Sequence, residues 1–302
     1  MNQLIGWLNI YKPVGISSFN VVNKIKKKYG FEKIGHTGTL DPLAEGILPI
    51  ALGKTTKLIY IINNKLKSYE FTVKWGEQTS TDDREGKIIQ TSSLIPQIKI
   101  IKQQLKNFVG NILQKPPKAS SVKINGKRAY KRFRNNESFE TKEKIVNIYK
   151  LEFLDQLEKN ISKIKVVCGT GLYVRSLARD LAESLNTKGH VHSLKRTRVG
   201  KFNEKNSILL DDLLKISQMT SGIRGFHSSI SMLDDIPALK IDNDEILSDI
   251  SHGRKVKINL FINHNHSLIQ NESNIYLAVN KDLVVSIGKI DGIYFHPHKV
   301  LI

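Results

Sequence analysis

One short stretch of the chain, residues 35–46, brings together the residue types that a functional loop needs. It holds three glycines, a histidine and two acids, and one of these, Asp41, directly precedes Pro42. The proline biases Asp41 toward an extended backbone and stiffens the next residues, so the carboxylate points in a fixed direction. An ordinary surface loop in which Asp41 caps a turn is the alternative. Because the stretch runs from a lysine-rich segment into an apolar strand predicted at 47–52, we interpret it as a site.

Two arginines further along the chain are candidates for binding an anion. Arg175 and Arg179 are four residues apart, so they share one face of a helix predicted over 172–185. The helix follows a Gly-x-Gly turn, and its first backbone N–H groups favour an anion close to Arg175. A surface salt bridge is the alternative role for each arginine.

The remaining reactive residue types give no support for a metal site, a disulfide or a nucleotide-binding loop. His190 and His192 lie two residues apart on a predicted basic strand, but no third ligand follows at a recognisable spacing, so we expect no metal site. The single cysteine, Cys168, excludes an internal disulfide, and its apolar neighbours favour a buried thiol over a nucleophile. The Gly-Lys-Thr at 53–55 lacks the first glycine of a phosphate-binding loop, which argues against an NTPase.

The charge balance points to a polyanionic partner. The 302 residues include 47 Lys and Arg against 28 Asp and Glu, for a net charge of +19. A lysine-rich genome composition explains part of this excess. No signal-peptide pattern opens the sequence and no apolar run approaches the length of a membrane span, so we expect a cytoplasmic protein without membrane contact.

The hydrophobic pattern predicts an α+β protein. Residues 69–75 alternate between apolar and polar side chains, which predicts a half-buried strand. Further predicted elements are helices over 18–29, 98–108 and 207–217 and paired strands over 143–154 and 161–168. From residue 241 the pattern changes to short strands, which we interpret as a small separate β-rich module.

The segment 115–134 interleaves cations with aromatic rings. Lys123 and Arg128 belong to its cations and Tyr130 to its rings. Cations bind phosphates and rings stack on bases, so this composition favours a nucleic-acid surface. A solvated loop and helix face is the alternative.

Taken in order, these stretches resemble the TruB family of tRNA pseudouridine synthases over residues 5–210. The motifs that carry the resemblance are Lys12-Pro13-Val14-Gly15, Gly35-His36-Thr37-Gly38-Thr39-Leu40-Asp41-Pro42, Lys67-Ser68-Tyr69, Gly171-Leu172-Tyr173-Val174-Arg175 and Leu194-Lys195-Arg196. Several motifs in the same order are far more specific than any one of them. The last 60 or so residues match only loosely.

The resemblance implies isomerisation of uridine 55 in the T-arm of tRNA to pseudouridine, with neither metal nor cofactor. It makes Asp41 the catalytic residue and Tyr69 the ring that stacks on the target base and is a candidate to handle the C5 proton. Arg175 corresponds to the arginine that pairs with the aspartate, and we expect a bidentate pair that keeps the carboxylate charged. The predicted substrate-binding residues are His36, which takes part in extracting the target base, together with Tyr173, Leu194, Lys12, Asp83, Lys123 and Arg128.

The resemblance also implies an architecture and a set of partners. Residues 1–240 are expected to form the pseudouridine synthase fold, a central mixed and mainly antiparallel sheet flanked by helices and loops. Within it, residues 95–140 would be a basic RNA-contacting segment. Residues 241–302 would form a PUA-like RNA-binding domain that holds the acceptor stem. We expect a monomer that needs no protein partner.

Two alternatives stay open from the sequence. One is an RNA-binding or chaperone protein without turnover, in which Asp41 is structural. The other is a pseudouridine synthase with a different RNA target, although the ribosomal RNA classes centre their acid in an Arg-Leu-Asp context that is absent here. Departures from the family pattern at Ser80, Ser121 and Asn135-Asn136 put local loop geometry in doubt, most of all where Asn136 replaces a glycine.

Overall fold

A computed structural model describes residues 4–233, 235–261 and 275–302. Residues 262–274 of the predicted C-terminal domain lie outside the described residues. The α-helices are α1 (Ser18–Tyr29), α2 (Ile59–Asn63), α3 (Ile98–Leu105), α4 (Ala129–Arg134), α5 (Val174–Ser184), α6 (Leu210–Lys215) and α7 (Asp244–Ser251). The strands are β1 (Gly6–Lys12), β2 (Ile34–His36), β3 (Ala44–Leu52), β4 (Lys67–Trp75), β5 (Glu77–Thr79), β6 (Ile88–Thr91), β7 (Gly110–Gln114), β8 (Lys123–Ile124), β9 (Lys127–Arg128), β10 (Lys144–Glu158), β11 (Ile161–Cys168), β12 (Gly189–Val199), β13 (Phe202–Asn203), β14 (Ile208–Leu209), β15 (Phe226–His227), β16 (Ala238–Lys240), β17 (Val256–Lys257), β18 (Tyr276–Asn280), β19 (Leu283–Asp291) and β20 (Tyr294–Val300).

The larger sheet is mixed and mainly antiparallel, which confirms the predicted fold class. Its strand order is β14-β1-β3-β12-β4-β11-β10-β7, with β2, β13 and β15 paired beside this path. Only the β1–β14 and β3–β12 pairs are parallel within this sheet. The predicted pair of strands over 143–154 and 161–168 is confirmed as β10 and β11.

The helices agree with the sequence where their end signals are strong. Helix α1 begins after Ser17, whose side chain accepts a hydrogen bond from the Asn20 N–H, and ends at Gly30 in the left-handed region. Helix α5 starts at Val174 rather than Leu172, which places Arg175 in its first turn. Helix α6 is shorter than predicted and α7 is additional.

Strand β4 is buried on its apolar face and partly exposed on its polar face, as predicted, although Ser68 and Thr72 of the polar face are also buried. The apolar face of Tyr69, Phe71 and Trp75 packs in the core as expected. The polar face is only partly exposed because its side chains pair across the sheet. The Thr72 and Ser193 hydroxyl oxygens are 2.8 Å apart, and Glu70 forms an ion pair with Lys163.

The first part of β3 lies between β1 and β12 and carries the loop that contains Asp41. In this register Gly46 is opposite both Lys12 and Arg196. The backbone of Gly46 has a φ of +107°, and a Cβ there would lie 2.2 Å from the Arg196 carbonyl oxygen. A glycine is therefore required at this position to let β12 approach the loop.

The second sheet has the order β16-β18-β19-β20-β17. It begins at Ala238, slightly before the predicted boundary at 241, because β16 pairs in parallel with β18. One apolar cluster joins it to the larger sheet, with Trp7 and Ala51 on one side and Leu277 and Ile287 on the other. The two sheets thus share a core.

Gly46→Ala should destabilise the fold by about 2 kcal/mol or more, because it combines a positive φ with a backbone clash. Gly253→Ala is the matched control, since Gly253 has a φ of +77° and nothing within 4 Å of the position that a Cβ would take. We expect about 1 kcal/mol from that change. Urea unfolding measures both, and equal losses would contradict the close approach of β12.

Candidate active site

A cavity of about 810 Å³ opens beside Asp41. Eight of the ten predicted site residues line it, namely Asp41, Tyr69, Arg175, His36, Tyr173, Leu194, Asp83 and Arg128. The topology explains this convergence because β12 lies between β3 and β4. Leu194 of β12 is opposite Ala44 on one side and Phe71 on the other, so the loop before β3 and the side chain of Tyr69 reach the same edge.

Asp41 and Arg175 form the central ion pair. Arg175 Nε lies 3.0 Å from Asp41 Oδ2, with the arginine side chain 6% exposed and the aspartate side chain 34% exposed. The predicted pairing is confirmed. Half-buried beside an arginine, the carboxylate is held at the cavity wall while part of it faces the open space.

The predicted bidentate geometry is wrong, because the other guanidinium nitrogens bind elsewhere. Nη1 of Arg175 donates to the Thr81 carbonyl at 3.1 Å and lies 3.3 Å from Asp83 Oδ2. Nη2 donates to the Ala119 carbonyl at 3.0 Å. These acceptors come from different parts of the chain and fix the plane of the guanidinium, so Asp41 meets a donor of defined direction.

Asp83 lies on the cavity wall but its carboxylate is already engaged within the protein. It is 2% exposed, and its Oδ1 accepts hydrogen bonds from the Thr81 hydroxyl at 2.6 Å and the Glu85 N–H at 3.0 Å. Next to it, Asp82 pairs with Arg179 at 2.8 Å. Arg175 and Arg179 do share a face of α5, and each one holds an acid of the same turn.

Tyr69 and Tyr173 supply aromatic rings to the cavity. Tyr69 is 8% exposed, and burial raises the pKa of its phenol while the guanidinium of Arg196 acts in the opposite direction. The backbone of Tyr173 is held by Gln114, whose amide oxygen accepts from the Tyr173 N–H at 2.8 Å. The ammonium of Lys144 lies 4.8 Å from the centre of the Tyr173 ring.

His36 faces the cavity as a neutral ring. Burial first, and then the charge of Arg196, lower the pKa of its imidazole. Its Nδ1 accepts a hydrogen bond from the Gly38 N–H at 3.2 Å, which ties the side chain to the loop.

Lys12 is not placed to bind substrate, and its predicted role is wrong. The residue is fully buried, and its ammonium donates to the carbonyls of Pro13 at 2.9 Å and Ile16 at 2.7 Å. Burial lowers the pKa of Lys12 to about 8, and the charge of Asp41 opposes this shift. The side chain holds the turn that follows β1. Lys123, in the short strand β8, is exposed and lies outside the cavity lining.

Arg196 has a structural role that the sequence did not predict. It is 1% exposed, and its Nε and Nη2 donate to the carbonyls of Ile47 at 2.7 Å and Gly38 at 3.0 Å. Both ends of the Asp41 loop are therefore tied to β12. Nothing in the sequence distinguishes one buried cation from the other cations of a basic strand, so composition alone could not identify Arg196.

The residues that depart from the family pattern each take part in a local turn or hydrogen bond. Asn136 has a φ of +54°, a conformation that asparagine tolerates better than most residues. The Ser80 hydroxyl accepts a hydrogen bond from the Lys87 N–H at 3.2 Å, and the Ser121 carbonyl accepts one from Arg128 at 2.6 Å.

Neither a metal-binding cluster nor a membrane-spanning helix occurs among the described residues. No group of three or more His, Cys, Asp or Glu side chains is arranged there to hold a metal ion. None of the helices in this part of the chain is long and apolar enough to cross a membrane.

Two family models match adjoining parts of the chain. Residues 26–174 match the TruB family pseudouridylate synthase N-terminal domain, and residues 175–225 match the tRNA pseudouridylate synthase B C-terminal domain. The two matches meet at Arg175. The acid of the central ion pair thus lies in the first matched part and its arginine in the second.

Similar proteins extend these matches. The tRNA pseudouridine synthase B of Wolbachia pipientis subsp. Culex pipiens is 49% identical over 217 residues, which is 71% of this chain and 61% of that protein. This alignment spans less than two thirds of the Wolbachia protein. The protein of the same name from Ehrlichia ruminantium is 39% identical over 93% of this chain and 90% of its own length. A crystal structure of a Cbf5–Nop10–Gar1 complex contains a chain with the same fold, at a TM-score of 0.74 and 25% identity, covering 99% of this chain and 85% of that one.

The buried ammonium of Lys12 should make stability rise with pH above neutrality. The folded pKa of about 8 lies below the ordinary value of 10.5, so between these values the unfolded chain holds more protons. Between pH 7.5 and pH 9.0, the wild type should therefore gain about 1 kcal/mol of unfolding free energy relative to Lys12→Met. The other ionisable groups contribute equally to the unfolding free energies of both proteins, so their contributions cancel when the two are subtracted. Lys215→Met, which removes an exposed lysine, should show no such difference, and an identical pH response in Lys12→Met would contradict the burial of this charge.

Proposed function

We propose that this chain, which belongs to the TruB family of pseudouridylate synthases, converts uridine 55 in the T-arm of tRNA to pseudouridine. The observation that carries the proposal is the Asp41–Arg175 ion pair on the wall of a cavity that also presents the ring of Tyr69. The Wolbachia and Ehrlichia relatives bear the name of a tRNA pseudouridine synthase.

The reaction needs the target base outside its stack. Pseudouridine formation breaks the bond between N1 of uracil and C1′ of ribose and forms a bond between C5 and C1′. The C5 proton is lost and N1 gains one, so the product is an isomer of the substrate. Neither atom is reachable within a stacked helix, so the nucleotide must be flipped into the cavity at a cost of a few kcal/mol.

Asp41 is the group that acts on the reacting nucleotide. Its carboxylate pairs with Arg175, and its exposed part faces the space that the nucleotide would fill. A carboxylate at this position is suited to each of three routes. It can attack C1′, attack the uracil ring, or remove a proton on a glycal route. In each route Arg175 fixes the direction of the carboxylate and offsets the cost of its partial burial.

The rings of the cavity bind the flipped base. Tyr69 offers a face for stacking, and burial raises the pKa of its phenol. A neutral phenol is a poor base, so the hydroxyl would take part in transfer of the C5 proton only by giving up its own proton as it receives that one. His36 lies on the same wall and keeps its predicted role at the RNA side of the cavity.

The surface around the cavity suits a polyanion. The segment 95–140 contributes Arg128 and Arg134 to the lining, and the chain has a net charge of +19. We assign the T-arm to this face and the acceptor stem to a PUA-like domain in the C-terminal part of the chain. We also propose that the protein acts in the cytoplasm, as a monomer without a partner protein.

Asp41→Ala and Asp41→Asn should lower turnover by roughly 10⁴-fold or more while leaving RNA affinity close to that of the wild type. The assay incubates purified protein with unmodified tRNA transcript, or with a T-arm hairpin, and maps pseudouridine by chemical probing. Asp212→Asn is the control, because Asp212 is an exposed acid paired with Lys215.

Three outcomes of that assay would count against parts of the proposal. A wild-type protein that binds the transcript but leaves it unmodified at saturation would favour the chaperone alternative. Modification at another uridine, or of another RNA only, would retain the reaction and replace the target. Substantial turnover by Asp41→Ala would remove Asp41 from the centre of the mechanism.

Arg175→Lys should reduce kcat by about 100-fold or more, because one ammonium cannot serve acceptors that lie around a planar guanidinium. The lost contacts would be those to Asp41, Thr81 and Ala119. Arg254→Lys is the matched control, since Arg254 is exposed and pairs with Asp249 alone among the described ion pairs. Single-turnover rates with saturating hairpin measure the effect, and near-normal rates would show that the geometry of Arg175 is dispensable.

A further inference from the structure

Phe19 is an apolar residue that is exposed to solvent at the rim of the cavity. Its side chain is 67% exposed, the highest value for an aromatic residue in the described part of the chain. It lies outside the inward face of α1, where Val21, Val22 and Ile25 are buried. No packing requirement of the fold explains a phenyl group at this position.

The backbone that carries Phe19 is fixed to the Asp41 loop. The hydroxyl of the preceding residue, Ser18, donates to the Leu40 carbonyl at 2.9 Å and accepts from the Leu40 N–H at 2.8 Å. Leu40 in turn directly precedes Asp41. The Gly15 N–H also donates to the Pro42 carbonyl at 2.8 Å. The backbone at Phe19 is therefore fixed relative to the loop that carries Asp41.

Another part of the lining comes from the basic segment and carries rings and cations together. Tyr130 and Phe133 of α4 line the cavity, as do Arg128 and Arg134. The guanidinium of Arg134 lies 5.8 Å from the centre of the Tyr130 ring. The cations provide partners for phosphates, whereas a phenyl group can bind only an apolar face. In an RNA, the apolar faces are the faces of unpaired bases.

We propose that Phe19 stacks on an unpaired nucleobase next to the target nucleotide when RNA occupies the cavity. This inference rests on the proposed function, because it assigns the RNA to the same cleft. Phe19 is a positioning residue in this scheme. It holds the strand beside the flipped base, and Asp41 performs the chemistry.

Phe19→Ala should weaken binding of a T-arm hairpin by about 10-fold or more, since loss of one stacked base commonly has an effect of that size. Its affinity for a fully paired RNA duplex of the same length should be unchanged, because a duplex offers no free base. Phe19→Trp should restore hairpin binding. Leu157→Ala is the control, since Leu157 is 52% exposed and lies near the β10–β11 turn, away from the cavity lining. Hairpin binding by Phe19→Ala within about twofold of wild type would overturn the proposal.

A fluorescence measurement reports the contact directly. The natural tryptophans, Trp7 and Trp75, are 0% and 1% exposed, so acrylamide quenching would detect mainly a tryptophan introduced at the surface. Saturating hairpin should protect the new side chain of Phe19→Trp from acrylamide and leave that of Leu157→Trp accessible. Equal accessibility of the Phe19→Trp side chain with and without RNA would show that this position does not face the RNA. Pseudouridine formation by the wild type decides the proposed function separately, because the hairpin affinities and quenching can be read whether or not turnover occurs.

Discussion

The ion pair between Asp41 and Arg175 is the interaction on which the site depends. A carboxylate that must stay charged at the wall of a cavity needs a cation beside it, and that cation must itself be held in place. Arg175 meets the second requirement through the carbonyls of Thr81 and Ala119 and through Asp83. The guanidinium of Arg175 thus connects three parts of the chain, namely the turn after β5, the segment before α4 and the start of α5.

The loop that carries Asp41 is held in place by buried polar side chains. Arg196 donates to carbonyls at both ends of the loop, and Lys12 donates to carbonyls of the neighbouring turn. The Ser18 hydroxyl bonds both the carbonyl and the N–H of Leu40. Burying two cations is unfavourable unless their donors find acceptors. Here the acceptors are backbone carbonyls, so the same contacts that satisfy the charges also fix the course of the loop.

The sequence predicted those features that leave a local or periodic signal. Helix α1 was placed by its cap residues, the β10–β11 pair by its strand patterns, and the Asp41–Arg175 pairing by resemblance to a family. Lys12 was misassigned because a lysine in a turn motif gives no indication of burial. The bidentate geometry failed for a similar reason, since competing acceptors such as the Ala119 carbonyl are backbone atoms present at every residue. Strand β16 is only three residues long and depends on pairing with β18, which lies far along the chain.

The order of the site residues along the chain affects when the site can exist. Asp41 and Arg175 are more than a hundred residues apart, and β12, which ties down the Asp41 loop, follows later still. At ordinary rates of translation, Asp41 would leave the ribosome of the order of 10 s before its arginine. During that interval the nascent chain carries the acid without a counter-ion and strand β3 without one of its neighbours. The site is therefore a late product of synthesis, and a chain that stalls before β12 exposes an acid that it has no means of holding in place.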